Sequence, residues 1–297
     1  MTIYIDPPIW PAHGTVFSHV ISDSSLEELH RFAEGCGLSD RAFDRDHYDV
    51  PAHRYDALVA RGAVPVSGRD LARILSGCGL RVRGIERTER VRRNLRRAWG
   101  RLMPQAPGLG DQLLQRWSAP HRSYHSPTHL AAVLRTVGVL ERAGELPTEL
   151  RRRTLLAAWY HDAVYDGVAG EDEEASAELA EEQLDGLVTD AEVAEVGRLV
   201  RLTATHAPED SDVGGAVLTD ADLEVLGRDE AGYLRYTEQV RHDYAHVPDD
   251  AFAAGRAEVL RGLLEHPRLY RTVTGRRLWE AQARANLEAE VRRLTGG

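Results

Sequence analysis

The chain has 297 residues, with 37 basic and 47 acidic side chains and a net charge of −10. Its hydrophobic fraction of 42% and charged fraction of 28% are ordinary for a globular protein, which excludes a fibrous or wholly disordered chain. The acidic balance also argues against a nucleic-acid binder, because such proteins are more often basic.

The apolar runs are far shorter than the roughly 18–20 residues of a membrane span, so we expect no membrane partner. Residues 1–11 lack the basic flank and apolar block of a signal peptide. Two cysteines, Cys36 and Cys78, cannot form a disulfide scaffold. These observations predict a cytoplasmic protein.

Residues 1–86 are predicted to form a small α/β domain, because strand and helix patterns alternate. In chain order the predicted elements are a strand at 2–5, a helix at 24–34 capped by Ser24, a helix at 55–61, a strand at 63–66, a helix at 67–75 capped by Ser67, and a strand at 80–82.

From residue 87 to residue 297 the pattern is helical, with apolar residues every three or four positions. The predicted helices span 88–103, 110–118, 127–143, 148–165, 172–185, 189–205, 229–246, 249–265 and 276–294. An arginine-rich stretch from Arg81 to Arg97 marks the boundary region at 84–90. It is either an anion-binding strip or a solvated linker and helix face.

Four side chains of the helical region are candidate metal ligands: His129, His161, Asp162 and Asp222. The His161–Asp162 pair follows an apolar helix, and a buried carboxylate must be paired or bound to a cation. Two imidazoles and two carboxylates suit Mn, Fe, Co, Ni or Zn, with Mg as a further option. Such an ion lowers the pKa of a bound water. The alternative is a hydrogen-bonded cluster without an ion, and Asp220 competes with Asp222 if residues 218–222 are extended.

The order of these elements resembles the HD superfamily of metal-dependent phosphohydrolases. The resemblance covers about residues 90–295 and rests on Tyr124-His125 with His129, on Trp159-Tyr160-His161-Asp162, and on Ala221-Asp222-Leu223. The region is most similar to the bacterial group described as predicted metal-dependent HD phosphohydrolases. This resemblance implies an all-helical HD domain in which His129, His161, Asp162 and Asp222 bind the metal, with Asp162 also serving catalysis.

The resemblance further implies roles for residues around these ligands. His125 would protonate the leaving oxygen, unless it is a surface histidine. Arg122 would clamp a phosphoryl oxygen, or else form a salt bridge on its loop. Asp166, Glu173 and His206 would contact substrate or support the ligands; the alternatives are a loop aspartate, a solvated glutamate and a histidine at a helix end.

Residues 1–84 resemble a bacterial domain of unknown function, DUF4031. The resemblance rests on the opening from Tyr4 to Gly14 and on the segment from Asp44 to Pro51. These segments hold a set rich in histidine and aspartate: Asp6, His13, His19, Asp23, Asp44, Asp46, His47 and Asp49. The set is either a second polar site at the end of the first strand or ordinary turn chemistry.

The sequence therefore predicts a mainly α protein, with a small α/β domain before an all-helical HD domain. The predicted activity is hydrolysis of a phosphoester or phosphoanhydride in a nucleotide or other small phosphorylated compound, by metal-activated water. Nucleic acid is not expected as a partner, and formation of a homo-oligomer stays open. The alternative is a regulatory module that senses a nucleotide without turning it over.

Overall fold

The computed structural model describes residues 2–12, 14–78, 80, 88–168 and 170–296. The chain forms two compact units, Met1–Gly84 and Ile85–Gly297. The first carries a small sheet and the second is helical, which confirms the mainly α fold with a leading α/β domain. The predicted division after residue 86, residues 81–82 of the predicted strand at 80–82 and the start of the arginine-rich stretch lie outside the described residues.

The N-terminal unit contains five strands and three helices in its described residues. The strands are β1 (Ile3–Ile5), β2 (Trp10–Ala12), β3 (Thr15–Ser22), β4 (Tyr48–Pro51) and β5 (Val64–Pro65), and the helices are α1 (Leu26–Gly35), α2 (Tyr55–Ala60) and α3 (Gly68–Gly77). Ser67 caps α3 as predicted, by accepting the N–H of Asp70. The predicted cap of α1 is wrong by one residue, since Ser25 rather than Ser24 accepts the N–H of Glu28.

Strand β3 organises the sheet of this unit. It pairs antiparallel with β1, β2 and β4, and β1 also pairs parallel with β5. The register places His19 of β3 directly opposite Asp49 of β4. Because successive side chains of a strand alternate between faces, His47 and Asp49 point to the same side of the sheet. The pairing thus gathers these three polar groups.

The two faces of the sheet have separate apolar cores. One core joins Val20, Tyr48 and Val50 of the strands to Leu29 of α1 and Leu58 of α2. The opposite core packs Ile21 against Leu71 and Leu75 of α3. This division leaves His19, in phase with Ile21, on the face covered by α3.

The C-terminal unit consists of helices joined by loops, with no strand in its described residues. Its helices are α4 (Thr88–Leu102), α5 (Pro107–Trp117), α6 (Pro127–Arg142), α7 (Thr148–Tyr160), α8 (Glu171–Leu184), α9 (Asp190–Leu202), α10 (Val213–Asp222), α11 (Glu230–Asp243), α12 (Asp249–Glu265), α13 (Val273–Gly275) and α14 (Ala281–Leu294). A 3₁₀ turn, Leu223–Gly227, follows α10, and a π turn, Arg276–Glu280, joins α13 to α14. Two apolar clusters hold this unit together, one around α4–α10 and one around α11, α12 and α14.

Two differences from the predicted helices concern the candidate ligands. Helix α7 ends at Tyr160 rather than at residue 165, so His161 and Asp162 lie in the turn that follows it. Residues 213–222 form α10, although the sequence reading left open an extended segment there. In both cases the polar residues at the helix end face a shared interior region.

Replacing Gly227 with alanine should destabilise the protein by about 1–3 kcal/mol. Gly227 ends the 3₁₀ turn, and a β-carbon there would lie 2.9 Å from the backbone Cα of Trp279. Because backbone atoms cannot move aside cheaply, the second apolar cluster would have to shift. Urea unfolding of the full chain measures the change.

The matched control is Gly255→Ala in α12, where an added β-carbon meets nothing within 4 Å. Alanine favours an exposed helix by up to about 1 kcal/mol over glycine, so this variant should equal or exceed the wild-type stability. An equal loss of stability in both variants would contradict the close approach of Gly227 to Trp279.

Candidate metal centre

Three helix ends bring four polar side chains of the C-terminal unit together. His129 lies in the first turn of α6, which starts at the predicted Ser126–Pro127 boundary. His161 and Asp162 directly follow α7, and Asp222 is the last residue of α10. The four polar side chains are therefore contributed by the ends of three different helices.

The potential ligand atoms of this centre lie close together. The Nε2 atoms of His129 and His161 are 3.2 Å apart. Asp222 Oδ1 is 3.0 Å from His129 Nε2 and 3.4 Å from His161 Nε2. Asp162 Oδ2 is 3.1 Å from His161 Nε2 and 3.6 Å from His129 Nε2. Ligand atoms that share one transition-metal ion are separated by about 3.0–3.5 Å. The ligand atoms of His129, His161 and Asp222 all lie within 4.8 Å of one another, so these three fit a single cation, with Asp162 beside them.

A hydrogen bond to the backbone fixes the orientation of the His161 ring. Its Nδ1 lies 2.9 Å from the carbonyl oxygen of Ala158. A carbonyl only accepts, so Nδ1 carries the proton and Nε2 of the neutral ring has a free electron pair facing the cluster. Such a second hydrogen bond is typical of histidines that bind metals.

Aromatic rings shield the two imidazoles from water. Trp117 lies with its ring centroid 5.3 Å from that of His161, and Tyr124 lies 4.6 Å from that of His129. Both histidines are buried, whereas the side chains of Asp162 and Asp222 keep 16% and 14% of their exposure. The carboxylate side of the cluster is therefore the one that solvent reaches.

Electrostatics favours positive charge inside this cluster. Burial opposes protonation of His161, but the carboxylates of Asp162 and Asp222 outweigh it and raise the pKa of His161 well above its usual value. Burial lowers the pKa of His129, helped by the neighbouring His161. For Asp222, burial acts in the opposite direction, but the nearby imidazoles hold its pKa well below the usual range. The same carboxylates would stabilise a bound divalent cation.

His206 contacts this centre through Asp222. Its Nε2 lies 2.8 Å from Asp222 Oδ2, the oxygen that is not nearest to His129. His206 follows α9 with a φ of +50°, a left-handed conformation that turns the chain after the helix. Of the predicted supporting residues, His206 is thus the one in direct contact with a candidate ligand.

The helical conformation of α10 decides which of Asp220 and Asp222 can be the candidate ligand. Residues that are two positions apart in an α-helix are rotated by about 200° around its axis, so the carboxylates of Asp220 and Asp222 point in nearly opposite directions. The extended alternative, which would have placed both on one face, is wrong. Asp220 is fully buried and accepts the N–H groups of Arg271 and Thr272, together with the Thr272 hydroxyl.

Replacing Asp220 with alanine should destabilise the protein without removing bound metal. The change leaves three buried donors unsatisfied, at a cost of about 1–3 kcal/mol. Burial raises the pKa of Asp220 to about 6, above its value in the unfolded chain. Asp220 therefore contributes less stability as pH rises toward 6, so the loss should be about 1 kcal/mol larger at pH 5 than at pH 7.

Chemical unfolding at the two pH values and metal analysis check this prediction. Asp210→Ala, at an exposed position, is the control and should change neither quantity. If Asp220→Ala lost its metal while keeping wild-type stability, Asp220 rather than Asp222 would be the ligand.

A further histidine, His125, pairs with the buried carboxylate of Asp243 beside the candidate metal centre. The Nδ1 of His125 is 2.9 Å from Asp243 Oδ2, and the ring stacks on Tyr165 with centroids 4.0 Å apart. The ring centroid of His125 is 5.9 Å from that of His129. Because an ionised carboxylate only accepts, Nδ1 carries the proton of the neutral ring, and Nε2 is free to exchange a proton with another group.

Asp243 is a functional candidate that the sequence analysis did not predict. Its side chain also accepts the backbone N–H groups of Ser123 and Tyr124, so it fixes the loop before α6. Burial disfavours its charge, yet its hydrogen bonds lower the pKa of Asp243. One signal was available, because position 243 continues the buried stripe of Tyr233, Tyr236 and Val240 on α11.

Arg122 supports the turn that carries His161 and Asp162. Its guanidinium donates to the carbonyl oxygens of Asp162, at 2.6 Å, and Ala163, at 3.3 Å. It also lies over the rings of Trp117 and Tyr165. These contacts make Arg122 a positioning residue for the turn, and its role as a phosphoryl clamp stays a prediction.

Two of the predicted supporting residues are not brought to the cluster. Because α7 ends early, Asp166 does not continue its face and lies exposed in the following loop. Glu173 accepts the N–H of Gly170 at the start of α8. Among the acidic residues in the first turn of α8, the buried one is Asp172. Its carboxylate accepts the N–H groups of residues 166–168. Asp172 thereby orders the loop after the candidate ligands.

Comparison with known proteins identifies the N-terminal unit alone. Residues 3–77 match a family model described as "Protein of unknown function (DUF4031)", which confirms the predicted resemblance of this unit. The search of curated proteins gave no match. The search of solved structures gave none either.

Proposed function

We propose that the C-terminal unit is a metal-dependent phosphohydrolase of the HD type, acting on a nucleotide or another small phosphorylated compound. The observation that supports this proposal best is the convergence of candidate ligand atoms from three separate helix ends. The Nε2 atoms of His129 and His161 are 3.2 Å apart, and each lies 3.0–3.6 Å from one oxygen of Asp162 and one oxygen of Asp222.

The donor set fits a divalent transition metal. Two neutral imidazoles and two carboxylates form a mixed nitrogen and oxygen site that suits Mn, Fe, Co, Ni or Zn, and Mg is a further option. When bound, such an ion supplies a water of lowered pKa and stabilises charge on a phosphoryl group. The partial exposure of Asp162 and Asp222 leaves one side of the site accessible to a substrate.

The chain itself supplies groups for the rest of the reaction. His125 is held by Asp243 and Tyr165 beside the candidate ligands, where the doubly protonated ring can give its Nε2 proton to the leaving oxygen and return to the neutral form. Asp243 would stabilise the protonated ring and hold it in place. Arg122 keeps the ligand turn in position through two backbone carbonyls.

Metal analysis and a phosphate-release screen test the proposal together. The purified full chain is analysed for bound metals, stripped with a chelator and assayed on nucleotides and small phosphoesters with and without added Mn²⁺. We expect bound metal and phosphate release that chelation abolishes and Mn²⁺ restores. Phosphate release that survives complete chelation would contradict the metal-dependent mechanism.

The same screen addresses the regulatory alternative. A protein that binds Mn²⁺ and shows saturable nucleotide binding, but hydrolyses none of the compounds, would be a sensing module instead. The pairing of His125 with Asp243 favours the hydrolase, because a module that only binds has no need of a proton donor beside its ligands.

A further inference from the structure

The N-terminal unit contains a second cluster of histidine and aspartate side chains, separate from the proposed phosphohydrolase centre. One ligand atom each of His19, His47 and Asp49 lies within 4.8 Å of the others. The sheet itself produces this grouping, because His19 pairs directly with Asp49 across β3 and β4. His47 precedes β4 by one residue and lies on the same side as Asp49.

Each imidazole of this cluster is oriented by its own buried carboxylate. His19 Nδ1 lies 3.0 Å from Asp6 Oδ2, and His47 Nδ1 lies 2.5 Å from Asp46 Oδ1. The side chains of Asp6 and Asp46 retain 1% and 6% of their exposure. Because ionised carboxylates only accept, the Nδ1 atoms carry the protons of the neutral rings, and both Nε2 electron pairs are available.

Both Nε2 atoms face the same oxygen of Asp49. The separations are 3.7 Å from His19 and 3.4 Å from His47. These distances exceed the usual 2.9–3.0 Å of a hydrogen bond between nitrogen and oxygen. They approach the roughly 3.4 Å between two ligand atoms of a tetrahedral ion with bonds of about 2.0–2.1 Å. The space between the two Nε2 atoms and the Asp49 oxygen therefore matches the space that one shared cation needs.

Further contacts hold the supporting carboxylate of His19 in place. The indole Nε1 of Trp10 donates to Asp6 Oδ2 at 2.8 Å, and the backbone N–H of His19 donates to Asp6 Oδ1. The rings of His19 and His47 meet edge to face, with centroids 4.9 Å apart. An arrangement in which a carboxylate fixes a histidine that in turn binds a metal is common around metal ions.

We propose that His19, His47 and Asp49 bind a divalent transition metal ion, with Asp6 and Asp46 orienting the two histidines. Two imidazoles and one carboxylate are the ligand set of open Zn²⁺ and Fe²⁺ sites. The side chains of Asp49 and His19 are 44% and 25% exposed, so at least one coordination position faces solvent. Such a site can bind a water or a small anionic ligand, unlike a closed structural zinc site.

The competing interpretation is an ion-pair network in which a proton takes the place of the metal. Burial opposes charge on His47, but Asp46 and Asp49 outweigh it and raise its pKa to about 9. The carboxylates that favour this proton also favour a cation. A protonated network would bind no metal ion at this site. The number of metal equivalents that the chain binds therefore separates the two interpretations.

The test counts Zn²⁺ equivalents bound by the chelator-stripped full chain, using calorimetry and elemental analysis. Asp49→Asn is the main variant, since it keeps the shape of a half-exposed side chain and should leave the fold intact. Asp222→Ala removes a ligand of the other centre. We expect two equivalents for the wild type, one for each single variant and none for the double variant.

A supporting variant and a control sharpen the result. Asp6→Asn should weaken Zn²⁺ binding at this site by about 10–100-fold, as expected for loss of a carboxylate that orients a ligand. His53→Gln replaces an exposed histidine of the same unit and should bind as the wild type does. Circular dichroism and thermal unfolding establish that every variant is folded.

The outcomes distinguish this proposal from the proposed function. If folded Asp49→Asn and His47→Gln both bind as many equivalents as the wild type, the N-terminal site is disproved and the phosphohydrolase proposal stands. If the wild type binds one equivalent that Asp49→Asn loses and Asp222→Ala keeps, the N-terminal site is supported and the other centre fails.

Discussion

Alanine at position 162 is expected to lower phosphate release by about 10³-fold or more and to reduce the metal content of the C-terminal unit. Asp162 Oδ2 lies 3.1 Å from His161 Nε2 on the solvent-accessible side of the cluster. Its removal would take away one proposed ligand and one of the two negative charges that would balance a bound cation. Elemental analysis and the phosphate-release assay measure both effects.

Asp166→Ala is the matched control for this variant. Asp166 lies four residues later, in the same connecting loop, and is exposed. It should leave metal content and activity near wild-type levels. Equal metal content and equal activity in wild type and Asp162→Ala would show that Asp162 does not bind the ion.

The second large effect is expected for the pair formed by His125 and Asp243. His125→Ala should slow hydrolysis of a substrate with a poor leaving group by about 10²–10⁴-fold, the usual contribution of a general acid. A nitrophenyl ester should be slowed far less, because its leaving group needs no proton. Steady-state rates for the two substrates measure the difference.

Further variants separate proton donation from positioning. Asp243→Asn keeps the shape of the side chain but removes its charge, so it should show the same leaving-group dependence to a smaller degree. His242→Ala replaces the exposed histidine next to Asp243 and serves as the control. Equal slowing of both substrates by His125→Ala would indicate that His125 positions the substrate instead.

The sequence predicted the fold class from local patterns, and it pointed to His129, His161, Asp162 and Asp222 through the His–Asp pair together with the resemblance to the HD superfamily. Apolar residues at helical spacing predict the helices, and a His–Asp pair after an apolar helix predicts a polar centre. Contacts between distant segments were beyond that reasoning. The bond from His125 to Asp243 joins α11 to the loop before α6, and no local pattern defines that pairing.

The sequence also contains a signal for buried functional carboxylates. Asp172 and Asp243 each continue the buried stripe of an amphipathic helix, where an apolar residue would be expected. A carboxylate in phase with such a stripe must find donors when the helix is buried. Both do so by accepting backbone N–H groups of a loop next to the candidate metal centre.

The strands β2, β3 and β4 went unpredicted for physical reasons. Strand β3 has neighbours on both faces, so its apolar residues do not alternate cleanly with polar ones. Strands β2 and β4 each contain a proline, which usually argues against a strand. The polar set of the N-terminal unit could be recognised from sequence, but its convergence required the register of β3 with β4.

That register has a consequence for tolerance to insertions. A single extra residue between His47 and Asp49 would reverse the direction of every side chain on one side of the insertion point. His19 would then face an apolar neighbour while an acidic group entered the core around Leu29 and Leu58. We therefore expect the spacing of these positions to withstand conservative substitution far better than any change in length.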